Sequence, residues 1–199
     1  MMVLEKQANF DAMELTARLG DRSIVFVGLM GAGKTAIGRK ASQLLGLPFI
    51  DSDHEIEGIS RMTIPELFDT YGETEFRALE QRVIERLLKT GPQVLSTGGG
   101  AFMNAETRRN VAERGVSVWL DADLDLLMHR VQKRPNRPLL RTPDPRAVMR
   151  KLMEERYPVY ATAQIRVKTR DDKREIIAGE VLQELAGLLG AKPPASRGT

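Results

Sequence analysis

Hydrophobic and polar positions alternate along this chain in blocks that change period, and the changes mark its elements. Ile24–Val27 is a short apolar run of the kind found in a strand covered on both faces. Lys34–Leu45 then places Ile37, Ala41, Leu44 and Leu45 on one side at helical spacing, with Gly46 as a left-handed stop. Four further strand-like runs follow: Pro48–Asp51, Gln93–Ser96, Ser117–Leu120 and a weaker Ile165–Lys168. Helical patterns fall between them at Pro65–Tyr71, Glu75–Lys89, Ala105–Arg114, Leu124–Lys133 and Pro145–Tyr160, and the last runs over Glu175–Leu189 to Gly190. Thr63-Ile-Pro-Glu66 has capping-box spacing, and Asp144 stands as a cap before the first-turn Pro145. Strands joined through helices run parallel, so their carboxyl ends share one edge of an α/β sheet.

Length and pattern together predict one domain over residues 21–190. A short helical extension is expected over residues 1–20, where Phe10, Met13, Leu15, Ala17 and Leu19 form a loose apolar face. The tail, 191–199, is expected to be disordered. Composition adds exclusions. Zero cysteines leave no disulfide framework and no thiolate metal site, which suits a reducing cytoplasm. The first residues lack the apolar core of a secretory signal, and no apolar stretch is long enough to span a bilayer. A net charge of +3 suits anionic small substrates, and no aromatic stacking motif points to nucleic acid.

Chemistry enters at Gly28-Leu-Met-Gly-Ala-Gly-Lys-Thr35, which fits G-x-x-x-x-G-K-[ST] directly after a buried strand and directly before a helix. The glycines let backbone N–H groups approach phosphate oxygens, and the helix directs its positive end at the same anion. Gly31, Ala32, Gly33, Lys34, Thr35 and Ala36 are therefore candidates for binding ATP, with Lys34 reaching the β and γ phosphates and the Thr35 hydroxyl on Mg²⁺. Asp51 and Asp53 flank Ser52 just past the second strand; alternation in an extended segment would turn both carboxylates into one crevice. Gly98-Gly-Gly100 ends the third strand with no side chain to obstruct a ligand. Arg77, Arg137 and Arg156 carry forks suited to a carboxylate or phosphate, though spacing alone does not single them out. Arg22, Arg39, Arg82 and Arg108 read as solvated charges, His54 and His129 form no metal-ligand pattern, and Trp119, Tyr157 and Tyr160 read as packing residues.

These segments taken in order resemble the shikimate kinase family: Gly28–Thr35, Asp51-Ser-Asp53, Gly72-Glu-x-Glu-Phe-Arg77, Ser96-Thr-Gly-Gly-Gly-Ala101, Arg137-Pro-Leu-Leu140 and Arg156-Tyr-Pro-Val-Tyr160. The resemblance runs from about Ser23 to Val167. It implies a P-loop fold like that of nucleoside monophosphate kinases, a five-stranded parallel sheet with helices on both faces. A substrate-binding region would lie at about 53–82 and a mobile lid at about 130–146. It also implies ATP-dependent phosphorylation of the 3-hydroxyl of shikimate, on the route to chorismate and the aromatic amino acids, by a cytoplasmic monomer. By the same resemblance Asp53 holds ring hydroxyls and orients or deprotonates the acceptor. Arg77 and Arg156 bind its carboxylate beside Gly99 and Gly100, and Arg137 approaches the transferring phosphate. Asp51 joins Thr35 at Mg²⁺, and Arg130 is the candidate to stack on adenine. The loop Lys168–Arg174 lacks a proline often found there. On chemistry alone a nucleotide acceptor fits one carboxylate with adjacent hydroxyls poorly, whereas gluconate is excluded only by the resemblance. A guanine-reading Asn-Lys-x-Asp segment is absent, against a GTPase switch.

Overall fold

A computed structural model describes residues 11–132 and 142–191. Its centre is a five-stranded sheet, all pairs parallel, in the order β2-β3-β1-β4-β5. The strands are β1 (Ser23–Val27), β2 (Phe49–Asp51), β3 (Val94–Ser96), β4 (Gly115–Asp121) and β5 (Ile165–Lys168). Every residue of β1, β3 and β4 is buried, as their continuous apolar runs require of strands covered on both faces. β5, at an edge, alternates buried Ile165 and Val167 with exposed Arg166 and Lys168. Those charges blunt an edge that would otherwise be open to pairing.

Helices α1 (Ala12–Leu19), α2 (Lys34–Leu45) and α8 (Arg174–Leu189) pack with one another, while α4 (Ile64–Leu88), α5 (Ala105–Arg114) and a 3-10 turn at Ala101–Met103 form a second group. α7 (Pro145–Tyr160) joins that turn and α6 (Leu124–Gln132). The first helix is part of the core: Leu15 and Leu19 are fully buried, each contributing about 1.5–3 kcal/mol by the usual area argument. Met13, expected on the same face, is exposed. Phe10 and the tail from Lys192 lie outside the described residues.

The caps appear where the residue spacing puts them. Thr63 and Glu66 form a complete capping box, and Asp144 accepts a hydrogen bond from the Ala147 amide at 2.9 Å. The helical patterns on either side of Gly72 belong to one run, α4, broken only at that glycine (φ 79°, ψ 171°). One element has no counterpart in the apolar pattern: α3 (Ser52–Ser60) begins immediately after β2.

Strand register decides where the crevice forms. Phe26 pairs with Ser96, Ser96 with Asp51, and Phe26 with Val118, so β1, β2 and β3 finish on nearly the same row of the sheet. β1 lies between β3 and β4, where successive connections leave in opposite directions, and such a switch point is where open α/β sheets bind ligands. At its exit Gly28 takes φ +135°, and a β-carbon there would lie 2.9 Å from the Leu120 carbonyl oxygen. Gly28→Ala should therefore lower the unfolding free energy by roughly 1–3 kcal/mol from backbone strain alone, with the clash adding to it. Urea unfolding checks this, and an unchanged midpoint would contradict it.

Candidate active site

Past Gly28 the chain wraps into a loop ending at Gly33, the N-cap of α2, which has no side chain to occupy the first N–H groups of the helix. They are left facing the loop, as anion binding requires. Lys34 lies back across the loop, its Nζ donating to the carbonyl oxygens of Gly28 (2.7 Å) and Leu29 (3.0 Å). Thr35 Oγ1 donates to Asp51 Oδ2 at 2.9 Å and lies 3.4 Å from Ser96 Oγ. A cleft of about 800 Å³ runs over this loop, bounded by Gly31, Lys34, Thr35, Ala36, Asp51, Asp53, Ser96, Gly98 and Gly99, and by Arg39, Arg130 and Asp172–Glu175 towards α8.

Asp51 and Asp53 both border the cleft, but extended alternation is not the cause. Asp51 is the N-cap of α3, its Oδ1 accepting from the Asp53 amide at 3.1 Å, and Asp53 sits in the first helical turn. A short cap-to-helix step after a three-residue strand brings the two carboxylates together. Ser52 between them is fully buried and accepts a hydrogen bond from the Gly98 amide at 3.2 Å, tying α3 to the glycine loop.

That loop is where the remaining candidates meet. A β-carbon on Gly98 would fall 2.5 Å from Glu80 Oε1 and 2.8 Å from Asp53 Oδ1; one on Gly100 would overlap the Arg77 guanidinium; one on Gly99 would lie 3.6 Å from Arg156 Nη1. Side chains from α3, α4 and α7 thus converge on three residues that have none. Arg77 bonds Glu80 at 2.7 Å and Glu73 at 3.2 Å, with its guanidinium carbon 5.1 Å from the Phe76 ring centre and 5.6 Å from that of Phe68. Arg137 lies outside the described residues.

Comparison with known proteins places this arrangement. The shikimate kinase family model matches residues 30–186. A shikimate kinase of Mesorhizobium japonicum is 68% identical over 184 residues, spanning 92% of this chain and 91% of the relative. The chain belongs to the shikimate kinase family. Among solved structures, a shikimate kinase from Acinetobacter baumannii in complex with shikimate superposes with a TM-score of 0.83 at 37% identity, covering 87% of this chain and 98% of that one. A gluconokinase from Sinorhizobium meliloti shares the fold alone, with a TM-score of 0.57 at 19% identity over 85% of this chain and 94% of that one.

Within this family member Glu80 is the residue that sequence reasoning passed over. It is buried to 2% exposure, and its Oε1 has no hydrogen-bond partner among the described residues. The spacing of Glu80 three residues after Arg77 predicts a helix ion pair, yet only the packed structure reveals that the pair is buried against Gly98. Ser96, on the cleft wall beside Thr35, carries no signal beyond its place at a strand end. Arg130 bridges the P-loop carbonyls of Gly31 and Ala32 (3.3 and 3.2 Å) to the Arg170 carbonyl (2.8 Å), joining both walls of the cleft. Arg108 is no solvated charge; it bonds the Phe102 and Met103 carbonyls at 2.8 Å each. His54 and His129 are exposed, and Trp119 and Tyr160 are buried.

Burial pushes the Glu80 carboxyl above its ordinary value, the nearby Arg77 pulls it only part of the way back, and Asp53 adds to the rise. For Arg77, burial opposes the charge, but Glu80 and Glu73 outweigh it and hold the guanidinium firmly protonated. A carboxyl whose folded pKa is raised binds its proton more tightly in the native state, so native stability falls as pH rises through that pKa. The difference in melting temperature between Glu80→Gln and the parent protein should accordingly shift in favour of the variant from pH 4.5 towards neutrality. A difference that stays constant with pH would contradict the assignment.

Proposed function

We propose that this chain transfers the γ-phosphate of ATP to the 3-hydroxyl of shikimate, giving shikimate 3-phosphate and ADP. What carries the reading is a phosphate-binding loop and Asp53 in one cleft, with Gly98 and Gly99 on its wall and the guanidinium groups of Arg156 and Arg77 set against Gly99 and Gly100. In this assignment the backbone of Gly31, Ala32, Gly33, Lys34, Thr35 and Ala36 holds the triphosphate, and Lys34 leaves its loop carbonyls to share the γ-phosphate charge. Arg77 and Arg156 grip the acceptor carboxylate beside Gly99 and Gly100. Asp53 orients the hydroxyl and takes its proton as the new P–O bond forms and the bond from γ-phosphorus to the ADP oxygen breaks.

Thr35 and Asp51 form an oxygen-only pair, with the Ser96 hydroxyl alongside, which suits a hard cation. Among the described residues no group of three or more His, Cys, Asp or Glu could hold a metal, and an ion taking much of its coordination from phosphate and water needs none. Thr35 and Asp51 would hold Mg²⁺, which would supply positive charge to offset that of the phosphate groups. Arg137 completes the proposal as a lid residue at the transferring phosphate; groups in that position contribute roughly 10³–10⁵ in rate in related enzymes. The substrate-binding region at about 53–82 and the lid at about 130–146 belong to the same reading. So do a cytoplasmic location, a monomeric state and no nucleic-acid or membrane partner. Among the described residues no helix is long and apolar enough to cross a membrane.

A coupled assay of ADP release across shikimate, gluconate and nucleoside monophosphates should respond to shikimate alone. Asp53→Asn should lower kcat by about 100-fold or more, with ATP affinity, measured by calorimetry, changed by no more than about threefold. Turnover close to that of the parent would remove Asp53 from its role, and a response to gluconate instead would replace the acceptor.

A further inference from the structure

Tyr160 is the last residue of α7, four positions after Arg156 and so on the same helical face. Its ring is fully buried, with centroids 6.2 Å from both Trp119 and Tyr157, while Trp119 and Tyr157 meet edge to face at 5.1 Å. The aromatic cluster therefore leaves this phenol little rotational freedom. Its hydroxyl donates to the carbonyl oxygen of Gly99, and Arg156 Nη1 approaches the same glycine, 3.6 Å from where a β-carbon would stand. Burial pushes the phenol up to about 12 against the pull of the neighbouring Arg156 charge, so it keeps its proton for Gly99.

We propose that Tyr160 is a positioning residue for the acceptor pocket, its one hydroxyl holding the Arg156 fork and the Gly99–Gly100 peptide in fixed relation. This rests on the reading that Arg156 binds the acceptor carboxylate. Gly99 has no side chain through which to anchor itself, and its peptide to Gly100 is trans, so fixing the Gly99 carbonyl also fixes the opposed Gly100 N–H. Arg77 packs on the next residue, Gly100, and is held by Glu80. The two guanidinium groups are thus located through adjacent residues of one loop, and the phenol is the link on the α7 side. Gly99 also borders the P-loop, its β-carbon position 3.5 Å from the Gly28 carbonyl oxygen and 3.6 Å from the Met30 amide nitrogen, but among the described residues the phenol bonds no P-loop group, so the acceptor side should respond first.

Tyr160→Phe deletes one oxygen and keeps the ring packing. With shikimate and ATP varied in turn, the variant should show a KM for shikimate raised about tenfold, while kcat and the KM for ATP stay within about threefold. Tyr157→Phe is the comparator: its hydroxyl donates to the Ala122 carbonyl beyond β4, and it should leave the KM for shikimate within about twofold. An unchanged KM in Tyr160→Phe, an equal rise in Tyr157→Phe, or a joint decline in both substrates' parameters and melting temperature would overturn the proposal. The Arg156 side-chain nitrogen signal in NMR spectra of the substrate-free protein tests the link without any acceptor. It should shift in Tyr160→Phe and hold in Tyr157→Phe, and an unshifted signal overturns the link even if the acceptor were misassigned.

Discussion

Phe26, Ser96 and Asp51 stand on one row of a parallel sheet, and that alignment sets where everything else in the crevice falls. Because β1 and β2 end on this row, the P-loop leaves from its centre and α3 starts at its edge, close enough for Thr35 and Asp51 to share a hydrogen bond. β3 ends there too and releases the glycine loop between them. A slip of one residue would turn each strand's side chains to the opposite face and separate these groups, so the fully buried strands fix function as well as stability.

From this row the site divides into two electrostatic halves. The donor half is built of backbone N–H groups and one lysine, preorganised by glycines and an uncapped helix start. The half proposed for the acceptor sets two guanidinium groups against two carboxylates around a loop with no side chains. Burying Glu80 there opposes its charge, and what it supplies is a fixed Arg77, whose fork it bonds at 2.7 Å. Phe68 and Phe76 support the same fork, and we propose that Tyr160 plays the matching part for Arg156 on α7. If these two arginines bind the acceptor as proposed, holding them in advance lowers the ordering cost of binding.

Much of this could be read from residue order because local rules and the fold agree. The span Lys34–Leu45 follows from its apolar spacing and the left-handed Gly46, and the cap pairs Thr63–Glu66 and Asp144–Ala147 bond as their spacing requires. α3 does not emerge from apolar spacing because Ser52–Glu55 is all polar; a cap at Asp53 before His54 is the local alternative, and the structure instead starts the helix from an Asp51 cap placed by β2. Spacing does not separate Arg77 and Arg156 from other arginines, and the family resemblance picks them out; what distinguishes them is their approach to Gly100 and Gly99. Glu80 was invisible for the same reason: an i,i+3 pair is a surface feature by default, and only the packing of α4 beneath the glycine loop buries it.

The most direct test is a crystal structure of the protein with Mg-ADP and shikimate bound together. The account predicts the acceptor carboxylate between the Arg77 and Arg156 forks, with one ring hydroxyl beside Asp53 and turned towards the β-phosphate end of the nucleotide. Shikimate bound elsewhere, or bound with its carboxylate at the P-loop and its hydroxyls towards the arginines, would contradict it.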